Sequence, residues 1–414
     1  MKLTKDSVVQ MHHLKQRPEN EEEVLIGRPD IGQYIILPLI AIDIIELLNE
    51  GRTIGEVEKI ASDRMGEVVD VLDFTKDLVT EYQLVHQIDG KVVNEKLELK
   101  GHFSWISQRT SQFFFNPLTF TFLTAAFVFG LIICIWNSKY IPVYSDFFLS
   151  SSLVSSLAAG MILSWVLLFT HELAHLMASR SVGVPSRIGI SHRLVFLVAE
   201  TDMSNIILLP AKKRYKPIFA GMAVDGGMFG IGVLLLLLQD VGFLALPSAM
   251  IMLIKFCNLN ALFSLAFQLM FFMETDVYYA FTTKFNCKNL LHNSRLYIRK
   301  CLNLMKKHQL EEWEYIDKDE KKIVKWYSWF YLIGVCWAIV LFLFYVLPLT
   351  FTFVSDAIVQ TFNGEMISWN FFDGIIIILL SLIEFALLIW SWIKKYQNNR
   401  FEKGKYAKNT EVDG

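Results

Sequence analysis

The sequence predicts a mainly α-helical, polytopic membrane protein with about six transmembrane helices and a small α+β, winged-helix-like domain at its N-terminus. Three observations predict this class. Apolar runs near 117–136, 149–178, 216–238, 247–275, 327–348 and 370–393 each approach or exceed the ~20 residues that a helix needs to cross a bilayer. Hydrophobic residues make up 53% of the 414, with 33 Phe and a mean hydropathy of +0.39, which places the chain outside the ordinary soluble class. Charge is concentrated between those runs, so soluble segments alternate with membrane segments.

Residues 1–20 are polar and are expected to be mobile. Their Lys2, Lys5, His12, His13, Lys15 and Arg17 leave no apolar signal-peptide core, so the N-terminus should stay in the cytoplasm. Residues 21–100 carry the small domain. Val24-Leu25-Ile26 and Tyr34-Ile35-Ile36-Leu37 read as strands, separated by the turn signal Gly27-Arg28-Pro29-Asp30. Ile42 to Leu48 has helical spacing and stops at Gly51. Thr53 followed by Glu56 matches the capping box and opens a second helix through Ile60. A third helix is expected with Val68, Val71, Leu72, Leu78 and Val79 on its apolar side. Leu84 to Ile88, Asp89-Gly90 and Lys91-Val92-Val93 then spell a hairpin with a favoured two-residue turn.

Residues 101–116, with Trp105, Phe113, Phe114 and Phe115 among polar neighbours, read as an interfacial linker. A membrane core follows over 117–290, a basic cytoplasmic loop over 291–326, two further spans over 327–393 and a cytoplasmic tail over 394–414. Arg180, Arg187, Arg193, Lys212, Lys213, Arg214 and Lys216 flank the second and third spans, whereas 239–246 and 349–369 contain no Lys or Arg. That bias predicts a multi-pass protein of the cell membrane with both termini cytoplasmic. The net charge of -2, with basic residues beside apolar spans rather than in one patch, gives no footprint for nucleic acid. The five cysteines form no CxxC pair and read as reduced thiols.

The chemistry lies in the second span, at His171-Glu172-Leu173-Ala174-His175. Residues i and i+4 share a helix face, so His171 and His175 can present two imidazoles to one metal ion. Glu172, one step round, is then placed to activate water as a general base, which is the zinc metalloprotease arrangement. From Leu149 to Ala178 these are the only ionisable residues, and such groups at membrane depth are costly unless they function. His175 lies five residues before Arg180, ~7.5 Å along a helix, so a third ligand should come from a similar depth in another span. Asp276 leads on depth, with Asp225 and Glu274 as alternatives, since any of these carboxylates suits zinc. Gly221, Gly226, Gly227 and Gly230 are expected to allow close helix packing.

Over about residues 150–290 the chain resembles the site-2 protease family of membrane zinc metallopeptidases. The resemblance rests on the HELAH span, on Glu200-Thr201-Asp202-Met203-Ser204 to Leu209-Pro210 followed by Lys212-Lys213-Arg214, and on Phe272-Met273-Glu274-Thr275-Asp276-Val277. It implies zinc held by His171, His175 and Asp276, with Glu172 catalytic. The chain departs from the family pattern where Val277 takes the place of a glycine and Met222 that of a proline. Residues 21–95 resemble PqqD-like domains, which recognise leader peptides of ribosomally made, modified peptides. The expected function is a membrane-embedded zinc endopeptidase processing such a precursor, with a leader peptide, the lipid bilayer and a peptide exporter as partners. The alternatives are regulated intramembrane cleavage of a membrane-anchored regulator and a non-proteolytic peptide-binding or export subunit.

Overall fold

A computed structural model describes residues 3–94, 102–150, 153–193, 196–287 and 289–348, with scattered positions from 351 to 393. The N-terminal domain runs β1 (Val9–Met11), β2 (Lys15–Pro18), β3 (Glu23–Arg28), β4 (Gln33–Pro38), α1 (Leu39–Asn49), α2 (Ile54–Met65), α3 (Val71–Thr80), β5 (Val85–Ile88) and β6 (Lys91–Val92). The strands form two antiparallel sheets, ordered β1-β5-β6 and β2-β3-β4. The expected strands, the hairpin and the start of α2 are present. Thr53 and Glu56 exchange side-chain and backbone hydrogen bonds at the head of α2, and Gly66 ends that helix at φ 70°. Asp89 and Gly90 both take positive φ, the pairing a two-residue hairpin turn requires.

Two expectations for this domain are corrected. Residues 1–20 are expected to be mobile, yet within them Val9 and Met11 of β1 are buried against β5, and β2 extends the second sheet. Polar composition concealed them because only alternate residues of an edge strand face the core. Val68 precedes α3 and is exposed, so the apolar side of that helix begins at Val71. Ile26, Leu48, Ile54, Leu78 and Leu84 are nearly solvent-free and make the core, each burial contributing about 1.5–3 kcal/mol.

The remainder is helical: α4 (Gln108–Phe114), α5 (Pro117–Trp136), α6 (Leu153–Ser181), α7 (Ala211–Ile218), α8 (Ala220–Asp240), α9 (Ser248–Gln268), α10 (Asp276–Phe285), α11 (Leu290–Cys301), α12 (Lys307–Tyr315) and α13 (Lys318–Leu341). Between α6 and α7 stands an antiparallel hairpin, β7 (Arg187–Arg193) and β8 (Phe196–Asp202). Among the described residues five helices are long and apolar enough to cross a membrane, built on α5, α6, α8, α9 and α13. The sixth expected span, 370–393, and the tail lie largely outside the described residues. The fourth span ends at Gln268, seven residues before its expected limit, in a 3-10 turn over Phe271–Met273. The basic loop 291–326 is folded, with Leu290, Leu296, Trp313 and Val324 packed in one cluster.

Helices α5 and α8 touch through glycine, where a Cβ on Gly130 would stand 2.7 Å from the Gly230 Cα. Close backbone approach of this kind is how membrane helices gain packing energy without a hydrophobic drive. The expected packing role of Gly226, Gly227 and Gly230 is realised here, against Phe127, Leu123 and Ala126 of α5.

His12 gives the N-terminal domain a pH dependence. It is 8% exposed, its Nε2 lacks a hydrogen-bond partner, and its ring lies 4.8 Å from that of His86. Burial, then the charge of Arg28, lowers its pKa to about 4, against an unperturbed 6.5. The unfolded chain therefore binds this proton more readily, and stability falls as the pH drops from about 6.5 towards 4. Pulse proteolysis in urea should show the domain's midpoint falling between pH 7 and pH 5, and falling less in His12→Gln. An equal fall in both proteins would assign the effect to other groups.

Candidate metal centre

Helix α6 carries His171 and His175 one turn apart on a face that meets α7, α8 and α10, and both imidazoles are buried. Each ring is fixed through Nδ1. His175 Nδ1 donates to the Pro217 carbonyl at 2.8 Å, and since a carbonyl only accepts, the proton sits on that nitrogen. His171 Nδ1 faces Asp225 Oδ2 at 2.7 Å, and Ser264 donates its hydroxyl to the same oxygen at 2.6 Å. A neutral imidazole protonated at Nδ1 keeps a lone pair at Nε2. The two Nε2 atoms are 3.0 Å apart.

Asp276 completes the set. Its Oδ2 lies 3.3 Å from His171 Nε2 and 3.1 Å from His175 Nε2, is buried, and makes no hydrogen bond. Three electron-pair donors thus converge with no proton required between them. In a buried setting such a set of donors carries a desolvation cost, which a cation at its centre would offset. A tetrahedral zinc with nitrogen and oxygen ligands at ~2.0–2.1 Å sets its ligands ~3.3 Å apart, so this donor set and its spacing fit that ion. Among the described residues this is the group of His, Cys, Asp or Glu disposed to hold a metal.

The backbone makes room for it. A Cβ on Gly221 would land against Nε2 of both His171 and His175, so α8 approaches the donors only because that residue has no side chain. Helix packing, the expected role of Gly221, is therefore secondary to opening the centre.

Asp276 reaches its place through a break in the helix. Gln268, the last residue of α9, accepts from the Asp276 backbone N–H through Oε1 at 2.9 Å and from the Thr275 hydroxyl through its carbonyl at 2.8 Å. Glu274 adopts φ 55° within this turn and lies outside the group of donor atoms that could hold a metal. Asp276 opens α10 rather than closing the fourth span, and its negative charge suits a helix N-terminus. The fifth span buttresses the turn: Tyr327 of α13 donates to the Phe271 carbonyl at 3.2 Å, the Phe271 and Phe330 rings stack at 4.1 Å, and Gly334 leaves space for Phe272.

Glu172 is buried beside the two histidines, and the Thr201 hydroxyl lies 2.7 Å from its Oε2 and 2.9 Å from its backbone carbonyl, sharing one proton between the two acceptors. Thr201 belongs to β8, which lies along α6. Glu172 is thus held by one neutral donor and keeps lone pairs for proton transfer. Asp225, an alternative third ligand in the sequence, instead orients His171 from behind. Sequence reasoning passed over Ser264 and Gln268; polar residues inside an otherwise apolar helix were the available signal.

The purified protein should hold about one zinc per chain, lost in His171→Ala and Asp276→Ala. Asp225→Ala should retain the ion with affinity weakened roughly 10–100-fold, the usual cost of losing a partner behind a ligating histidine. Gly221→Ala should lose the ion while keeping its helix content. Zinc analysis with competition by a chelator reads all four, and full zinc in Asp276→Ala would remove that residue from the donor set.

No family model, no curated protein and no solved structure matches the chain, so the assignment of this centre rests on its donor geometry.

Proposed function

We propose that the protein is a membrane-embedded zinc endopeptidase acting on a peptide or membrane-associated substrate. One observation carries the reading: two imidazole nitrogens and an unpartnered carboxylate oxygen converge among apolar helices, with a second carboxylate, Glu172, on the adjoining helix position. Zinc, when bound, supplies Lewis acidity, polarising the scissile carbonyl and lowering the pKa of water to about 7. Glu172 is the residue that would take a proton from the attacking water and return it to the leaving amine. Thr201 keeps the Glu172 carboxylate in place without supplying a charge that would weaken it as a base. Asp225 and the Pro217 carbonyl hold the imidazoles in the tautomer that leaves Nε2 free.

The N-terminal domain would recruit the substrate, and its PqqD-like order of elements favours a leader peptide bound as an added strand. The distribution of Lys and Arg favours cytoplasmic termini and a centre near the cytoplasmic face. A peptide exporter is the natural neighbour of such an enzyme.

Glu172→Gln preserves shape while removing the base. It should keep zinc near the wild-type amount and lower peptide cleavage roughly 10²–10⁴-fold. The measurement is mass-spectrometric analysis of a library of peptides carrying apolar segments, incubated with protein reconstituted in vesicles. Wild-type rates in the Glu172→Gln variant would sink the mechanism, and no cleavage by zinc-loaded wild type would sink the activity.

A further inference from the structure

The segment from β8 to α8 touches the metal centre at both ends. Thr201 at its start holds the Glu172 carboxylate, and Pro217 near its finish accepts from His175 Nδ1. Between them residues 204–209 make a 3-10 turn and a bend. Arg214 of α7, itself buried, fastens this bend from one side, its Nε donating to the Leu209 carbonyl at 2.8 Å and its Nη2 to the Ile207 carbonyl at 2.9 Å.

The N-terminal domain grips the same bend from the other side. Tyr34 of β4 donates its hydroxyl to Asn205 Oδ1, and Arg17 of β2 donates from Nη1 to the Leu209 carbonyl at 3.1 Å. Gly32, at the β3–β4 turn, sits where a Cβ would be 3.3 Å from Ser204. Two of these three contacts are hydrogen bonds, one of them from a charged guanidinium, and the third is a close van der Waals approach.

We propose that Tyr34 and Arg17 are positioning residues for the metal centre: by docking on residues 204–209, the N-terminal domain sets Thr201 and Pro217, and through them Glu172 and His175. The catalytic consequence rests on the endopeptidase reading, whereas the effect on the metal donors stands without it. A substrate held by the domain would then do more than arrive near the centre, because any strain it puts on β2 or β4 is passed to Asn205 and Leu209. Displacements well under 1 Å at Glu172 are sufficient to matter, since misplacement by ~1 Å costs about 10²-fold in rate.

The test uses full-length protein in lipid nanodiscs with Co²⁺ as the probe, because its visible absorption reports the geometry of its ligands. Tyr34→Phe and Arg17→Gln should each weaken Co²⁺ binding about fivefold, within the range by which residues remote from a ligand alter its affinity, and should shift the absorption band. Hydrogen exchange should quicken over residues 201–217 while the strands and helices of the N-terminal domain keep their protection. Adding Tyr34→Phe to Asn205→Ala should cost nothing further, which a merely structural role for the hydroxyl does not predict. Wild-type cobalt affinity and spectrum in both single variants would overturn the proposal, as would unchanged exchange over 201–217. Should either variant unfold its domain, Asn205→Ala decides, since it leaves the domain's own residues intact. Peptide cleavage in the same samples is scored separately: a wild type that cleaves nothing removes the endopeptidase reading, and the cobalt arm still decides the coupling.

Discussion

Two imidazole nitrogens and one carboxylate oxygen, all carrying lone pairs, face one another at 3.0–3.3 Å inside a bundle of apolar helices. Burying such donors together carries a desolvation cost that a cation between them, a metal ion or a proton, would offset. Every neighbouring element contributes to holding this arrangement. Helix α6 supplies both histidines, α7 and α8 supply the acceptors behind them, α9 supplies Ser264 and Gln268, and α10 begins at Asp276.

The helix break between α9 and α10 follows from the same requirement. A continuous fourth span would carry Asp276 onward along its own axis, whereas the donor must turn inward. Gln268 and Thr275 satisfy backbone groups that the break exposes, which matters in a membrane because no solvent can do so. Packing of Phe271 and Phe272 on α13 makes the fifth span part of the wall behind the centre rather than a separate anchor.

How far this was legible in the sequence depended on the range of the interactions. His171, Glu172 and His175 were readable because four residues make one helical turn, and the capping box at Thr53 and the Asp89-Gly90 turn were readable for the same local reason. Apolar length gave α5 to the residue, whereas α6 runs three residues past its expected end, α8 begins four residues late behind α7, and α9 ends seven early, where hydropathy continues through Phe271 and Phe272 although the helix does not. The strands before residue 19 were missed because their apolar content is small and their partners, β3 and β5, lie up to about eighty residues away. The hairpin of β7 and β8 was likewise missed, and with it the role of Thr201.

The sequence by itself determined a helical membrane protein with a small α+β domain, and the histidine pair with its glutamate. These depend on periodicity and length, which a chain displays wherever it is read. Tertiary structure alone set the carboxylates apart: Asp276 came to face the two Nε2 atoms, Asp225 went behind His171, and Glu274 took a left-handed backbone within the turn. Their chemistry is the same and their depths are similar, so only the packing of α8, α10 and α13 against α6 could give them different places around the histidine pair.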